Sequence, residues 1–178
     1  MAHPRQAIGE KVVSLLKVAA TAVGDNVFLN KAIALRPGQL PALIVFTPSE
    51  TSDSEGTAPR ELRRDLKLEV EAVVTVDDEA ASTLNDLLEE AERVMHADPT
   101  LAGLAGDSEL KGTDLAVGQE GNVLTLSGVL TYAVVYHTLA PEPPADGAMD
   151  DFVTVGADHD AAGAVASDLF DVQVLDES

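Results

Sequence analysis

The sequence of 178 residues contains no cysteine and no tryptophan, and only 3% of its residues are aromatic. Without thiols the chain can form neither a disulfide framework nor a zinc site with thiolate ligands. No apolar run approaches the roughly 20 residues of a transmembrane helix, and the N-terminus has no signal-peptide pattern. We therefore expect a soluble protein that stays inside the cell that makes it, with a core of Val, Leu, Ile and Ala.

Basic residues are also scarce, so the net charge is −20, and the charge is unevenly spread. Residues 1–64 carry eight basic and six acidic side chains, whereas residues 65–178 carry three basic and 25 acidic ones. Such a surface repels a DNA backbone and argues against nucleic-acid binding. The composition suits a cytoplasm at molar salt, where the screening length is about 3 Å. We expect a halophilic protein; an ordinary acidic bacterial or phage protein is the alternative.

The chain is organised around a strand that runs directly into a helix. Apolar residues alternate with mostly polar ones over residues 66–76, a period of two that is typical of a half-buried strand. Over residues 80–95 the apolar positions recur at spacings of three and four, opposite a row of carboxylates, which predicts an amphipathic helix. We expect Asp77 to cap the start of this helix and Pro99 to end it.

The other predicted elements complete one domain. They are a helix over residues 5–21 and strands over residues 27–29, 41–47, 109–117 and 123–138, with a hairpin turn at residues 118–122. The last strand should pair with residues 66–76 near the centre of the sheet. We expect an α+β fold with a mixed, mainly antiparallel sheet, helices packed on one face, and an extended acidic C-terminal tail.

Composition also predicts the domain boundaries. Residues 1–139 should form the domain, residues 140–150 a proline-rich linker, and residues 151–178 an acidic extension with two short β-like segments. Residues 141–178 carry ten acidic side chains and no lysine or arginine. Because so short an extension cannot form a core alone, we expect it to pack on the domain, to join a neighbour's sheet, or to stay mobile.

Residues 48–62 are rich in Ser, Thr, Glu, Gly and Pro and predict a long exposed loop, mobile until it meets a partner. Three arginines stand where this loop meets the strand, and none is expected on the strand's apolar side. They could make charge-assisted contacts with carboxylates of a neighbour; a solvated loop with a few nearby arginines is the alternative. The predicted contact residues, in the loop, at its junction and in the extension, are Glu55, Arg60, Arg63, Arg64, Phe152 and Val153.

Signals for catalysis are poor. Asp158, His159 and Asp160 are of metal-ligand type, but a solvated acidic turn is the preferred interpretation. His96 suits the negative end of the acidic helix, and His137 has no assigned partner. The sequence has no phosphate-binding glycine loop, nucleophile elbow or HExxH motif. We expect no enzyme, no cofactor and no metal site.

The order of elements, together with LPALIVF at residues 40–46, ADPTLAG at 97–103 and VLTYAVVY at 129–136, resembles the tail terminator (tail completion) proteins of long-tailed phages. The resemblance covers roughly residues 1–138. It implies an α/β fold and a ring, usually of six subunits, that caps the tail tube, stops its growth and joins the tail to the neck of the head. The implied partners are further copies of the chain, the tail tube protein and the neck connector. The implied location is the virion, after assembly in the host cytoplasm. With the halophilic composition, the expected source is a tailed virus of a salt-loving archaeon.

Three alternatives remain open at this point. The chain could be another neck or tail component, such as a tube protein or head-side connector. It could be a cellular acidic binding module, which a monomeric state would favour. It could be a metal-dependent hydrolase that uses Asp158, His159 and Asp160.

Overall fold

The computed structural model describes residues 3–19, 22–31, 35–56, 60–120 and 123–140. The elements, in chain order, are α1 (Pro4–Ala19), β1 (Val27–Leu29), a short 3-10 turn (Pro37–Gln39), β2 (Ala42–Glu55), β3 (Glu61–Thr75), α2 (Ala80–Ala97), β4 (Asp107–Glu120) and β5 (Val123–Leu139). None of the helices in these ranges is long and apolar enough to cross a membrane.

The five strands form one sheet in the order β1-β2-β3-β5-β4. β1 runs parallel to β2, and the other three pairs are antiparallel. β3 lies at the centre, paired with β2 on one side and β5 on the other. The predicted pairing of the last strand with residues 66–76 near the centre of the sheet is confirmed. The mixed, mainly antiparallel sheet with two helices confirms the predicted α+β fold.

The main core lies between the helices and one face of the sheet. Leu66, Leu68 and Val70 on β3 point to this face because side chains two apart share a face of a strand. They pack in one buried cluster with Ile8 of α1 and Leu84 of α2. A smaller cluster on the other face contains Leu35, Ala42, Ile44 and Val73. Both helices therefore cover the same face of the sheet.

The predicted loop over residues 48–62 is wrong, because most of it is a β-hairpin. Pairing of β2 with β3 continues from Ser49 opposite Lys67 to Glu55 opposite Glu61. The register of β2 against β3 shifts between Phe46 and Ser49. Pro48 lies at this irregularity, where its lack of an N–H group costs the sheet no hydrogen bond. Backbone pairing on both sides of β3 orders this polar segment, since ladder hydrogen bonds do not depend on apolar side chains. Residues 57–59 lie outside the described residues.

The predicted helix cap is also wrong in its position. α2 begins at Ala80, and its N-cap residue Glu79 makes no side-chain capping hydrogen bond among the described residues. Asp77 instead closes the turn before the helix, because its carboxylate accepts a hydrogen bond from the Glu79 amide at 3.0 Å. The helix ends at Ala97, just before Pro99.

Several predictions concern the chain beyond the described part. The linker after Ala140 and the acidic extension, with Phe152, Val153 and the Asp158-His159-Asp160 run, lie outside the described residues. These predictions stay as they are. The hairpin turn predicted over residues 118–122 is too long, because residues 118–120 belong to β4 and pair with residues 123–125 of β5; residues 121–122 lie outside the described residues.

Candidate partner-contact site

The far ends of three strands form a polar extension of the sheet. It consists of residues 49–55 of β2, 61–65 of β3 and 135–139 of β5, and we call it the arm. Across the arm, Asp53 of β2 pairs with Arg63 of β3, and Arg63 pairs in turn with His137 of β5. The arm holds three of the six predicted contact residues: Arg63 and Arg64 are on its central strand, and Glu55 ends an outer strand. Arg60 directly precedes the central strand.

Arg64 points to the helix-covered face of the sheet, contrary to the prediction that none of the arginines lies on the apolar side. It stands two residues before Leu66, which is buried, and its side chain is only 18% exposed. Its Nη1 lies 2.7 Å from Oε1 of Glu50, and its Nε donates to the Thr138 hydroxyl at 3.0 Å. Arg64 therefore connects all three strands of the arm and is a structural residue.

Glu50 is the acceptor at the centre of this network. Its side chain is 8% exposed, and its second oxygen accepts a hydrogen bond from the Tyr136 hydroxyl at 2.5 Å. Burial raises the pKa of the Glu50 carboxyl, but the hydrogen bond from Tyr136 and the ion pair with Arg64 outweigh burial and leave that pKa lowered. Burial, and next the bond to Glu50, raise the pKa of the Tyr136 hydroxyl. Glu50 thus stays ionised and Tyr136 stays a donor.

Arg60 and Arg63 point outward and remain available to a partner. Arg63 is 45% exposed, and its guanidinium lies 3.2 Å from the half-exposed carboxylate of Asp65. An ion pair this exposed is screened by water and can exchange its partner at little cost. Arg60 is exposed and directly precedes β3. Its carbonyl accepts a hydrogen bond from the Ala140 amide at 2.9 Å.

Glu55 and His137 form a second exposed contact on the arm. Oε2 of Glu55 lies 3.3 Å from Nε2 of His137, and both side chains are about half exposed. The sequence had assigned no partner to His137, because the two residues are distant in the chain and meet only through strand pairing. Glu55 is therefore exposed on the surface of the arm, as a contact residue must be, but its carboxylate already contacts His137.

The arm carries charges of both signs and is therefore not a basic patch. Its two arginines, with Arg60 next to them, stand among five carboxylates, those of Glu50, Asp53, Glu55, Glu61 and Asp65. Among the residues that the structure describes, no group of three or more His, Asp or Glu side chains could hold a metal ion. What the arm can do chemically is present charged hydrogen-bonding groups at fixed positions.

Sequence reasoning missed Glu50, Tyr136 and Thr138. Glu50 is hidden in a polar run that gives no sign of burial. Tyr136 offered a weak signal, since its alternation with Val134 places it on the apolar face, where a buried tyrosine hydroxyl needs a partner. No pattern in the sequence shows that this partner lies on β2.

Comparisons with known proteins give little. No family model matches the sequence, and no curated protein matches it. One solved structure, titled "Virion of native gene transfer agent (GTA) particle", contains a similar chain at 15% sequence identity and a TM-score of 0.29. The match covers 70% of this chain and 90% of that chain. A TM-score this low establishes neither a shared fold nor a shared function.

Proposed function

We propose that this chain is a structural virion protein that forms a ring, caps the tail tube of a long-tailed virus, ends tail polymerisation and joins the tail to the neck. The observation that supports the proposal best is the arm. It is a polar, three-stranded projection that is fixed from inside by Glu50 and Arg64 and carries Arg60 and Arg63 on its surface. Its contacts are suited to binding and include no catalytic arrangement.

A preformed arm favours docking because little conformational entropy is lost when it binds. Guanidinium groups recognise carboxylates by short, charge-assisted hydrogen bonds. Because the ion pair of Arg63 with Asp65 is exposed, a partner's carboxylate can replace Asp65 at little cost, and the released carboxylate of Asp65 is solvated by water. We assign the outward side of the arm to contact with the tube ring or with the adjacent subunit.

The order of elements also supports the proposal. A helix, two strands, a central strand, a second helix and a final hairpin follow one another as the resemblance to tail terminator proteins implies. The proposed partners are further copies of the chain in a ring, usually of six, the tail tube protein and the neck connector.

The arm is tested with the double variant Arg60→Glu/Arg63→Glu, produced from the viral genome in its host. We expect a folded protein but overlong tubes or headless tails in electron micrographs. The matched control is Lys67→Glu/Lys111→Glu, which makes the same change in net charge. Both of its lysines lie outside the arm and, like Arg63, are about half exposed and paired with a carboxylate. Normal tail length and head attachment in the arm variant would contradict the contact role.

Ring formation is tested separately on the purified chain. Light scattering should give a mass that is a multiple of the 18.6 kDa subunit, and negative-stain images should show a central opening. A monomer at every salt and protein concentration would favour the acidic binding module. Growth of long tubes from the chain alone would favour a tube protein.

A further inference from the structure

The first observation is a group of exposed apolar side chains at one end of the β4–β5 hairpin. Leu115, Val117 and Leu124 are 62%, 68% and 51% exposed. All three lie on the helix-covered side of the sheet. Leu126 packs against the main core on that side, and Leu124 and Gly128 share its face because they are two residues away. Leu115 and Val117 pair with Gly128 and Leu126, so they point to the same face. We call these three residues the hairpin patch.

The hairpin patch continues the hydrophobic core beyond the flank of α2. At Gly128 a methyl group would stand 2.7 Å from Leu88 of α2 and 3.0 Å from Leu115, so these two leucines converge over the glycine. The core therefore runs under α2 and emerges at the edge of the sheet. Contiguous apolar side chains in such a position mark an interaction surface.

The second observation is a groove on the other flank of α2, between α1 and α2. We call it the helix groove. Its apolar lining includes Leu15, Val18 and Val94, and Val18 is 85% exposed. Lys11 and Arg93 also line it. Asp98 is the one acidic residue of the lining, and its carboxylate is engaged by Thr100 and the Ala102 amide.

The two surfaces are complementary in charge as well as in polarity. Lys11 and Arg93 line the helix groove in a chain whose net charge is −20. Arg93 is 72% exposed and lies 3.7 Å from Glu90 of its own helix, a weak pair that a partner's carboxylate can replace. On the flank of α2 nearest the hairpin patch, Glu89 directly follows Leu88, which converges with Leu115 over Gly128. An apolar patch with a carboxylate beside it thus fits an apolar groove that is lined by cations.

We propose that the hairpin patch of one subunit packs into the helix groove of the next copy of this chain; the inference rests on the ring of the proposed function. The two surfaces are different and lie on opposite flanks of α2, so the contact is head-to-tail. Such a contact generates a ring when the rotation between subunits closes, whereas a two-fold contact would bring the same patch of both subunits together.

Disulfide trapping in the full chain tests this contact, because the natural sequence contains no cysteine. The double variant Val18→Cys/Val117→Cys should form covalent oligomers under mild oxidation, up to the size of the ring. Mass spectrometry should find residue 18 linked to residue 117. A mixture of the two single variants should give mainly mixed dimers. The matched control is Val18→Cys/Leu104→Cys, since Leu104 is also an exposed apolar residue but lies outside the hairpin patch, the helix groove and the arm.

The outcomes separate this inference from the proposed function. Linkage of residues 18 and 117 at least tenfold faster than in the control supports the contact. A ring in light scattering without that preference, or mainly dimers linked through residue 117 on both sides, overturns the contact and leaves the ring standing. A chain that never exceeds a monomer overturns the ring and the contact with it.

A charge placed in the hairpin patch gives an independent measurement. Val117→Asp should weaken subunit association at least tenfold in sedimentation experiments, because a carboxylate would lose water against an apolar wall. Leu104→Asp, which makes the same change of charge outside the hairpin patch, the helix groove and the arm, should change it less than about twofold. Both positions are exposed, so both variants should unfold at the temperature of the natural chain. Equal association of the two variants would overturn the contact.

Discussion

Glu50 on β2 and Arg64 on β3 form an ion pair at 2.7 Å that is diagonal to the strand register. Arg64 lies opposite Ser52, and Glu50 lies opposite Leu66, so the pair is next to the first fully buried residue of β3. The apolar core thus passes into a polar network next to Leu66. This transition allows the sheet to project an arm without a hydrophobic interior.

The first prediction concerns the strength of this pair. Glu50→Gln should lower the free energy of unfolding by about 2 kcal/mol, since Arg64 would keep a largely buried charge without a counter-charge. The control is Asp65→Asn, which removes an exposed partner of Arg63 and should cost less than about 0.5 kcal/mol. Urea unfolding followed by circular dichroism measures both. Equal losses would show that Glu50 has no special role.

The second prediction is a pH dependence that comes from the same carboxyl group. The pKa of Glu50 is lowered in the folded state from its ordinary value of 4.5, so the unfolded chain takes up the proton first on acidification. The stabilisation by Glu50 is therefore complete above pH 4.5 and is lost as the pH falls through the lowered pKa. The difference in unfolding free energy between the natural chain and Glu50→Gln should shrink from pH 7 to pH 3. A difference that stays constant over this pH range would contradict the assignment of the pH dependence to Glu50.

The third prediction contrasts two buried tyrosines on β5. Tyr136→Phe should destabilise the fold by about 1.5 kcal/mol or more, because Glu50 would lose a hydrogen-bond donor. The hydroxyl of Tyr132 is buried and has no hydrogen-bond partner among the described residues. Tyr132→Phe should therefore be neutral or stabilising by up to about 1 kcal/mol. Thermal unfolding of the two variants, side by side, checks the sign of each effect.

The fourth prediction concerns salt. The net charge of −20 should make the fold and its assembly more stable at high ionic strength, where repulsion between carboxylates is screened. The midpoint of thermal unfolding should rise between about 0.1 M and about 3 M potassium chloride. Sucrose at matched viscosity serves as a control for effects of the solvent. A midpoint that stays flat or falls would contradict the halophilic interpretation.

The fifth prediction concerns the C-terminal residues. Removal of residues 141–178 should leave a folded domain, because the five strands and both helices are complete by Leu139. We expect the shortened chain to assemble less well, since the two β-like segments of the extension could reach a neighbour. Circular dichroism and light scattering measure fold and assembly separately. A shortened chain that does not fold would place the extension in the core of the domain.

Where the sequence pattern was regular, it predicted the fold well. The alternation over residues 66–76 and the helical spacing over residues 80–95 identified the central strand and α2, because a single buried face fixes the period of each element. The short strand over residues 27–29 and the pairing of β5 with β3 followed as well. The signal failed over residues 48–62, because a buried position there holds Glu50 and the segment has too few apolar residues to show a period.

The sequence by itself determined the α+β class, the central strand, the surplus of acidic charge and the exclusion of thiol chemistry, since composition and periodicity depend only on the order of residues. The tertiary structure decided what the polar segments do. It turned Arg64 inward to Glu50 and Thr138, left Arg60 and Arg63 outside, and brought Glu55 to His137. These pairs join residues that are far apart in the chain, and side-chain polarity alone does not specify which strands lie side by side. Backbone hydrogen bonds order the arm, and every residue except proline can contribute them.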